Sequence, residues 1–393
     1  MDKRIKFGII GTGNMGMGHI MSFFEGKASG GVVSAIADTD SAKLKAALEK
    51  FGDGFQAFGS GLELIDKADV DAVIVATPHY SHPELSIAAL KKGLHVICEK
   101  PAGVYTKQVK EMNAVAKKSK PLFTIMFNQR TSLLYQKMRG IVLEGGIGQI
   151  KRINWIITTW YRTQSYYDSG AWRATWAGEG GGVLFNQCPH QLDLLQWITG
   201  IMPKKIRAFC HFGKWHDIEV EDDVTAYLEY ENGATGVFIT STADTPGTNR
   251  FEVLGTKGKV VCEDEKLLHF KLREDEREFC VTNKSGFGQP EFEIEEHKIS
   301  GEHQHVDIIN NFIKAINGEE LLFVDGKEGI KGVELMDAML LSTWLNKAIE
   351  LPFDDDLYLN ELKKRIKSSK KKTVNSVTFN LENTFGASSR WKS

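Results

Sequence analysis

Ile5-Lys6-Phe7-Gly8-Ile9-Ile10-Gly11-Thr12-Gly13-Asn14-Met15-Gly16 carries more structural information than any other part of this 393-residue chain. Its first six residues form a short apolar run of the kind buried on both faces of a parallel sheet, and a helical pattern continues to about Phe24. G-x-G-x-x-G between a strand and a helix is a phosphate-cradling turn; elsewhere the same letters mean little. Gly11 permits the tight turn, and Gly13 lets backbone N–H groups approach a pyrophosphate. Gly16 lets the helix pack close to the strand, with the positive helix end toward the phosphates. Thr12, Asn14 and Met15 complete the candidate cofactor-binding turn.

Asp38 closes the run Val32–Ala37, 22 positions after Gly16, where a carboxylate accepts both ribose hydroxyls of an adenosine and repels a 2′-phosphate. NAD is therefore the expected cofactor. The other role for Asp38, capping the next helix, suits Asp40 or Ser41 better. Further apolar runs at Ala72–Ala76, His95–Cys98 and Leu122–Met126 alternate with helical patterns at Ser41–Phe51, Pro83–Lys92 and Lys107–Lys118. Such alternation predicts βαβ units, so residues 1–128 are expected to form an α/β, doubly wound Rossmann domain on a parallel sheet.

Beyond about residue 150 the pattern changes. Lys151–Arg162, Ile206–Phe212, Val224–Tyr230, Ala234–Thr240, Arg250–Leu254 and Lys259–Cys262 read as alternating strands, with Asn232-Gly233 as a hairpin turn. Residues 129–352 are expected to form an α+β domain with a large, mostly antiparallel sheet, helices at His303–Ile316 and Lys327–Ile349 covering one face. Residues 353–393 contain Asp354-Asp355-Asp356 and two basic clusters, and read as a charged extension, a solvated helix and tail rather than a nucleic-acid patch.

Composition narrows the function classes. At about 150 residues per domain the length allows two or three domains, and 42% hydrophobic with 25% charged residues excludes a disordered or collagenous chain. Forty-nine basic against 51 acidic side chains leave a charge of −2, which gives no field for nucleic acid or an anionic membrane. Cys98, Cys188, Cys210, Cys262 and Cys280 include no C-x-x-C pair, and no signal peptide or membrane-length apolar stretch is present. A cytoplasmic protein that binds a small polar ligand is expected.

Two more strand ends carry candidate side chains. Thr77, Pro78, His79 and His82 follow the third run, and Glu99-Lys100-Pro101 follows the fourth, where open α/β sheets bind their ligands. Thr77, Pro78, His79, His82 and Glu99 are expected beside the cofactor. Lys100 is either an ordinary surface lysine or a cation that binds a substrate hydroxyl and stabilises an alkoxide. Farther on, Gly180-Gly181-Gly182 precedes Asn186-Gln187-Cys188-Pro189-His190. With Pro189 in a first helical turn, His190, Asp193 and Trp197 share one side, and Asn186 sits just ahead. His190 is then a general base with Asp193 as orienting partner, or a structural histidine; the segment lacks the further ligands a metal needs, and no metal is expected.

Taken together, the Gly11–Gly16 turn, Glu99-Lys100-Pro101 and the Gly180–Asp193 segment resemble the Gfo/Idh/MocA family of nicotinamide-dependent sugar and polyol oxidoreductases. The resemblance covers nearly the whole chain. It implies a Rossmann domain, a second open-faced sheet domain for substrate and homo-oligomer contacts, and bound NAD(H) or NADP(H). By the same resemblance Lys100 contacts substrate and nicotinamide, His190 is the catalytic acid/base, and Trp172-Arg173 lies near nicotinamide and pyrophosphate. Asn186 stands where many members have aspartate, so it is expected to hydrogen-bond a substrate hydroxyl instead of relaying protons. The segment Trp160–Tyr167, with Asp168 and the C-terminal Asp354–Arg365 region, is similar to the subgroup oxidising glucosides and anhydrosugars at C3, which makes Tyr161 and Arg162 substrate contacts. Two other outcomes stay open: a recycled, bound NAD acting through a transient 3-keto sugar, and a non-catalytic NAD-binding regulator.

Overall fold

The structure, a computed structural model, describes residues 4–299, 304–370 and 372. Its first part runs β1 (Ile5–Ile10), α1 (Asn14–Phe24), β2 (Gly31–Ala37), α2 (Ser41–Phe51), β3 (Gln56–Phe58), α3 (Gly61–Lys67), β4 (Ala72–Val75), α4 (Ser81–Lys92), β5 (His95–Cys98), α5 (Thr106–Lys118) and β6 (Phe123–Ile125). The six strands pair in parallel in the order β3-β2-β1-β4-β5-β6. Strand order reverses direction at β1, which places a ligand crevice at its carboxyl end. All four residues of β4 are fully buried, as a strand covered on both faces requires. Asp40 caps α2 by accepting from the Ala42 N–H at 3.0 Å, and α4 stops at Gly93 with φ of 92°. β3 and α3 were not expected; a three-residue edge strand is too short to show a period.

Next come α6 (Leu133–Leu143), β7 (Ile150–Ile157), α7 (Gln164–Asp168), α8 (Val183–Asn186), α9 (Pro189–Thr199), β8 (Pro203–Phe212), β9 (Glu221–Tyr230), β10 (Thr235–Ser241), β11 (Asn249–Gly255) and β12 (Gly258–Glu263). β13 (Lys266–Leu272), α10 (Glu276–Thr282), β14 (Phe292–His297), α11 (His305–Ile316), α12 (Gly329–Trp344), β15 (Ile349–Glu350) and α13 (Asp355–Ser368) complete the described chain. Nine strands form one sheet, β14-β13-β12-β11-β7-β10-β9-β8-β15, in which β7 and β10 pair in parallel and the other neighbours are antiparallel. Alternation buries Val224, Ala226 and Leu228 of β9, and Trp155 of β7 stacks on Phe251 of β11 at 4.1 Å. The hairpin turn between β9 and β10 holds Gly233 at φ of 81°.

Contacts group the chain into two compact units, one holding residues up to 131 with 178–180 and 304–334, the other holding the remainder. α11 thus belongs with the parallel sheet, although its sequence position had put it in the second domain. Asn310 accepts from the Ser29 N–H at 2.8 Å and donates to the Lys27 carbonyl at 3.1 Å, while Phe312 meets the His95 ring edge-on. Among the described residues no helix is long and apolar enough to cross a membrane.

Three sequence expectations need correction. β7 ends at Ile157 and not Arg162, because its partner β11 begins only at Asn249. The helix expected over Lys327–Ile349 spans Gly329–Trp344, and Ile349 pairs with Ile206 as a strand residue instead. The residues after Phe353 are more than a solvated tail: Tyr358 and Leu362 of α13 are fully buried, Tyr358 stacks on Trp344, and the Arg365 guanidinium covers that indole at 3.8 Å. Of the second basic cluster, Lys370 and Lys372 are described, and Lys371 lies outside the described residues.

Candidate active site

The turn after β1 explains its own glycines. Gly11 has φ of +94°, and a Cβ there would stand 2.6 Å from the Ala76 carbonyl oxygen. A Cβ on Gly16 would stand 1.8 Å from the Gly11 oxygen, so this glycine seats α1 against its own turn. Gly13 differs. It is the N-cap of α1 at φ of −69°, and no atom lies within 4 Å of where its Cβ would be. Two glycines serve the fold, and the third leaves clear space at a helix N-terminus with unpaired N–H groups.

Asp38 stands beside this turn, half-buried. Its Oδ2 accepts from the Thr12 N–H at 2.8 Å and the Thr12 hydroxyl at 3.1 Å, and its Oδ1 accepts from the Asp40 N–H at 2.9 Å. The carboxylate is fixed in place, and with three of its roughly four lone-pair sites filled it keeps one, on Oδ1, for a ligand hydroxyl. Clear space at a helix N-terminus and a fixed carboxylate beside it fit NAD.

The neighbouring strand ends are tied to each other. Ser81 donates to the Thr77 hydroxyl at 2.8 Å, and His79, buried, places Nδ1 3.2 Å from the Glu179 carbonyl. His82 sets Nδ1 2.8 Å from the Pro101 carbonyl and Nε2 2.7 Å from the Thr77 carbonyl, so its ring spans both loops. Burial pushes this imidazole below its ordinary value, against the pull of the two carbonyls. Glu99 receives Nε2 of His19 at 2.8 Å on Oε1 and the Lys100 N–H at 3.2 Å on Oε2. Burial alone would raise its carboxyl; the His19 hydrogen bond and charge, aided by His305 and Lys100, outweigh burial and hold it well below the ordinary value. His82 and Glu99, which sequence reading set beside a cofactor, are both buried, and their side chains hold the strand-end loops. Lys100 is half-buried directly behind Glu99, on a cis peptide to Pro101.

In the other unit a network centres on Tyr166 of α7. Its hydroxyl accepts from Arg173 Nη1 at 2.8 Å and Gln187 Nε2 at 3.3 Å, and donates to Asn186 Oδ1 at 3.0 Å. The same amide oxygen accepts from Gln187 Nε2 at 3.1 Å. The guanidiniums of Arg162 and Arg173 lie 5.0 and 4.6 Å from the Tyr166 ring centroid, and Arg173 also meets Trp172 at 4.7 Å. Among the described residues neither guanidinium has a carboxylate within ion-pair distance, so both charges remain available to a ligand. Tyr161 is 47% exposed beside them.

Asn186 closes α8, and His190 lies in the first turn of α9 after Pro189. α9 is buried over almost its whole length; Asp193 Oδ1 accepts from Gln196 Nε2 at 3.1 Å. Glu221, fully buried on β9, accepts from the Gly182 and Leu184 N–H groups at 2.8 and 3.1 Å and so anchors the start of α8. Sequence reasoning missed Glu221 because 39 residues separate it from Gly182, and it missed Tyr166 as a hub because one tyrosine in Trp160–Tyr167 looks like the next. Beyond this segment the chain returns: Lys372 Nζ donates to the Tyr167 carbonyl at 2.9 Å, and Ser369 donates to Glu219 at 2.6 Å.

Comparisons with known proteins agree with this layout. A family profile described as "Oxidoreductase family, NAD-binding Rossmann fold" matches residues 5–127, and the GFO/IDH/MocA C-terminal domain matches residues 135–261. The crystal structure of the WlbA dehydrogenase from Chromobacterium violaceum, in complex with NADH and UDP-GlcNAcA, is 30% identical with a TM-score of 0.75, covering 90% of this chain and 98% of that one. Myo-inositol 2-dehydrogenase of Thermotoga maritima is 26% identical over 83% of this chain and 92% of its own length. The 1,5-anhydro-D-fructose reductase of Ensifer adhaerens is 26% identical over 65% of this chain and 75% of its own length.

Proposed function

This chain belongs to the GFO/IDH/MocA family of NAD-binding oxidoreductases, and on that premise we propose that it oxidises a secondary hydroxyl, at C3, of a sugar or glycoside. The observation that carries this reading is the Tyr166 network. It offers an aromatic face, fixed amide groups from Asn186 and Gln187, and two guanidiniums, the mixture that sugar C–H faces and hydroxyls need. When bound, NAD supplies the hydride acceptor at nicotinamide C4. Gly13 and the α1 N-terminus receive its pyrophosphate, and Asp38 a ribose hydroxyl. His190 takes the proton of the reacting hydroxyl, and Lys100 hydrogen-bonds the oxygen as charge develops there. Asn186, held by Tyr166, orients a neighbouring hydroxyl.

The chain acts as a homo-oligomer in the cytoplasm. Phe209 and Tyr227 stand 53% and 43% exposed on one face of the β8–β9 pair, an apolar surface suited to a second copy. All five cysteines are free and four are buried, as a reducing compartment favours. A screen of purified protein with NAD tests the reaction, using glucosides, inositols, anhydrosugars and sugar acids and following NADH formation. NADH formation with a glucoside or anhydrosugar, and a 3-keto product, are expected. Turnover without added NAD would identify recycling of a bound cofactor, and no turnover with any of these classes would overturn the reading.

A further inference from the structure

The far edge of the large sheet gathers three ligand-type side chains that no sequence spacing connects. β13 and β14 pair with His269 opposite Glu295 and Leu267 opposite His297, so the two-residue alternation puts His269, Glu295 and His297 on one face. Their candidate ligand atoms lie within 4.8 Å of one another. Nδ1 of His297 is 3.5 Å from Oε1 of Glu295. A tetrahedral ion with bonds of about 2.0 Å sets its ligands about 3.3 Å apart, so this pair already has nearly the required separation. We propose that His269, Glu295 and His297 bind a divalent transition-metal ion of the zinc class, with water completing its coordination.

Proton placement favours that assignment. Nε2 of His269 is 3.2 Å from the Gly146 carbonyl, which can only accept, so the proton sits on Nε2 and the Nδ1 lone pair is left to ligate. A ligating histidine whose other nitrogen donates to a backbone carbonyl is the usual outer-shell arrangement of metal sites. His297 is poorly served by the protein alone. Its Nε2 is buried and has no hydrogen-bond partner among the described residues. A proton on Nδ1 leaves the Nε2 lone pair unmet; a proton on Nε2 turns the Nδ1 lone pair toward a carboxylate. A cation between Nδ1 and Oε1 removes the second conflict.

Two groups face the carboxylate and compete with the ion. Lys271, on the same face of β13, forms an ion pair with Glu295, and the Lys271 hydrogen bond holds that carboxyl below its ordinary value. The other is the His297 ring, whose Nδ1 faces the same carboxylate. Glu295 is 45% exposed, so its side chain can swing the roughly 1.5 Å that separates the present cluster from a tetrahedral set. Binding would pin β14, whose residues are otherwise exposed, to β13.

The test uses the full chain stripped with a chelator, then dialysed against zinc or cobalt. One ion bound per chain, a visible absorption band of tetrahedral cobalt, and a metal-dependent rise in unfolding temperature are expected. His269→Ala and His297→Ala should each weaken zinc binding at least tenfold, while NADH binding, read separately, confirms that each variant is folded. Lys271→Ala should tighten zinc binding. The proposal is overturned if the folded wild-type chain retains no ion at micromolar free metal, or if the two histidine variants bind zinc as the wild type does.

Discussion

Gly13→Ala should separate cofactor binding from folding. In the folded chain Gly13 has φ of −69° and ψ of −168°, a conformation open to any L residue, and the added methyl would meet no atom within 4 Å. Such a replacement stabilises by about 0.4–1 kcal/mol, because alanine leaves the unfolded chain less conformational freedom to lose. At about 2–4 °C per kcal/mol the unfolding temperature should rise by roughly 1–4 °C. The same methyl would occupy the space through which backbone N–H groups reach a pyrophosphate. Loss of one hydrogen bond to a charged group costs about 1.5–3 kcal/mol, which weakens NADH binding about 10- to 150-fold. A melt followed by far-UV circular dichroism reads the first effect, and an NADH fluorescence titration reads the second. Gly16→Ala is the reverse control, since its methyl would strike the Gly11 backbone oxygen and should unfold the turn. An alanine at Gly13 that binds NADH within twofold of the wild type, or that melts well below it, would show that the space beside α1 is not the phosphate site.

His190→Ala should lower kcat about a hundredfold to ten-thousandfold, as loss of a general base does, with the NADH Kd unchanged; a kcat within threefold of wild type would remove His190 from the chemistry. Tyr166→Phe deletes the acceptor for Arg173 and Gln187 and the donor to Asn186, and should cut kcat/KM about tenfold or more, again with NADH binding intact. Glu99 bears on pH. With its carboxyl held below 4.5, the pair with His19 stabilises the fold above that value and loses this contribution as pH falls through the folded value. Glu99→Gln should therefore lower stability at neutral pH and flatten the acid limb of the melting profile below about pH 4.5; an unchanged slope there would argue against the His19 pairing.

The parallel sheet was readable because its strands are continuous apolar runs punctuated by glycine, and β1 and β5 fall where those runs predicted. Short elements such as β3 were not, since three residues carry no period. The turn after β1 was legible at Gly11 and Gly16, where a Cβ would strike backbone atoms, because a local motif needs no distant partner. The hydrogen-bond partners of His82 and Glu99 were not legible, for the opposite reason. A side chain at a strand end can face outward or inward, and only the positions of His19, Thr77 and Pro101 settle which. Asn186 was identified as a candidate, but its partner Tyr166 lies 20 residues away. The histidines and carboxylate of the β13–β14 edge were invisible to a search for ligand spacing because strand pairing, not sequence, makes them neighbours.

The seating of α11 has a consequence for how the protein is made. Ile308, Ile309, Phe312 and Ile313 are buried in the unit that contains the parallel sheet, and a Cβ on Gly30 would already touch Ile313. These residues leave the ribosome only after the whole nine-stranded sheet except β15 has been synthesised. The first six strands therefore wait, at roughly 5–20 residues per second, with an apolar face uncovered while the second unit emerges. Residues 1–128 made alone would keep that face exposed permanently, whereas a fragment extended through residue 334 and relieved of the intervening sheet by a short linker would carry its own cover.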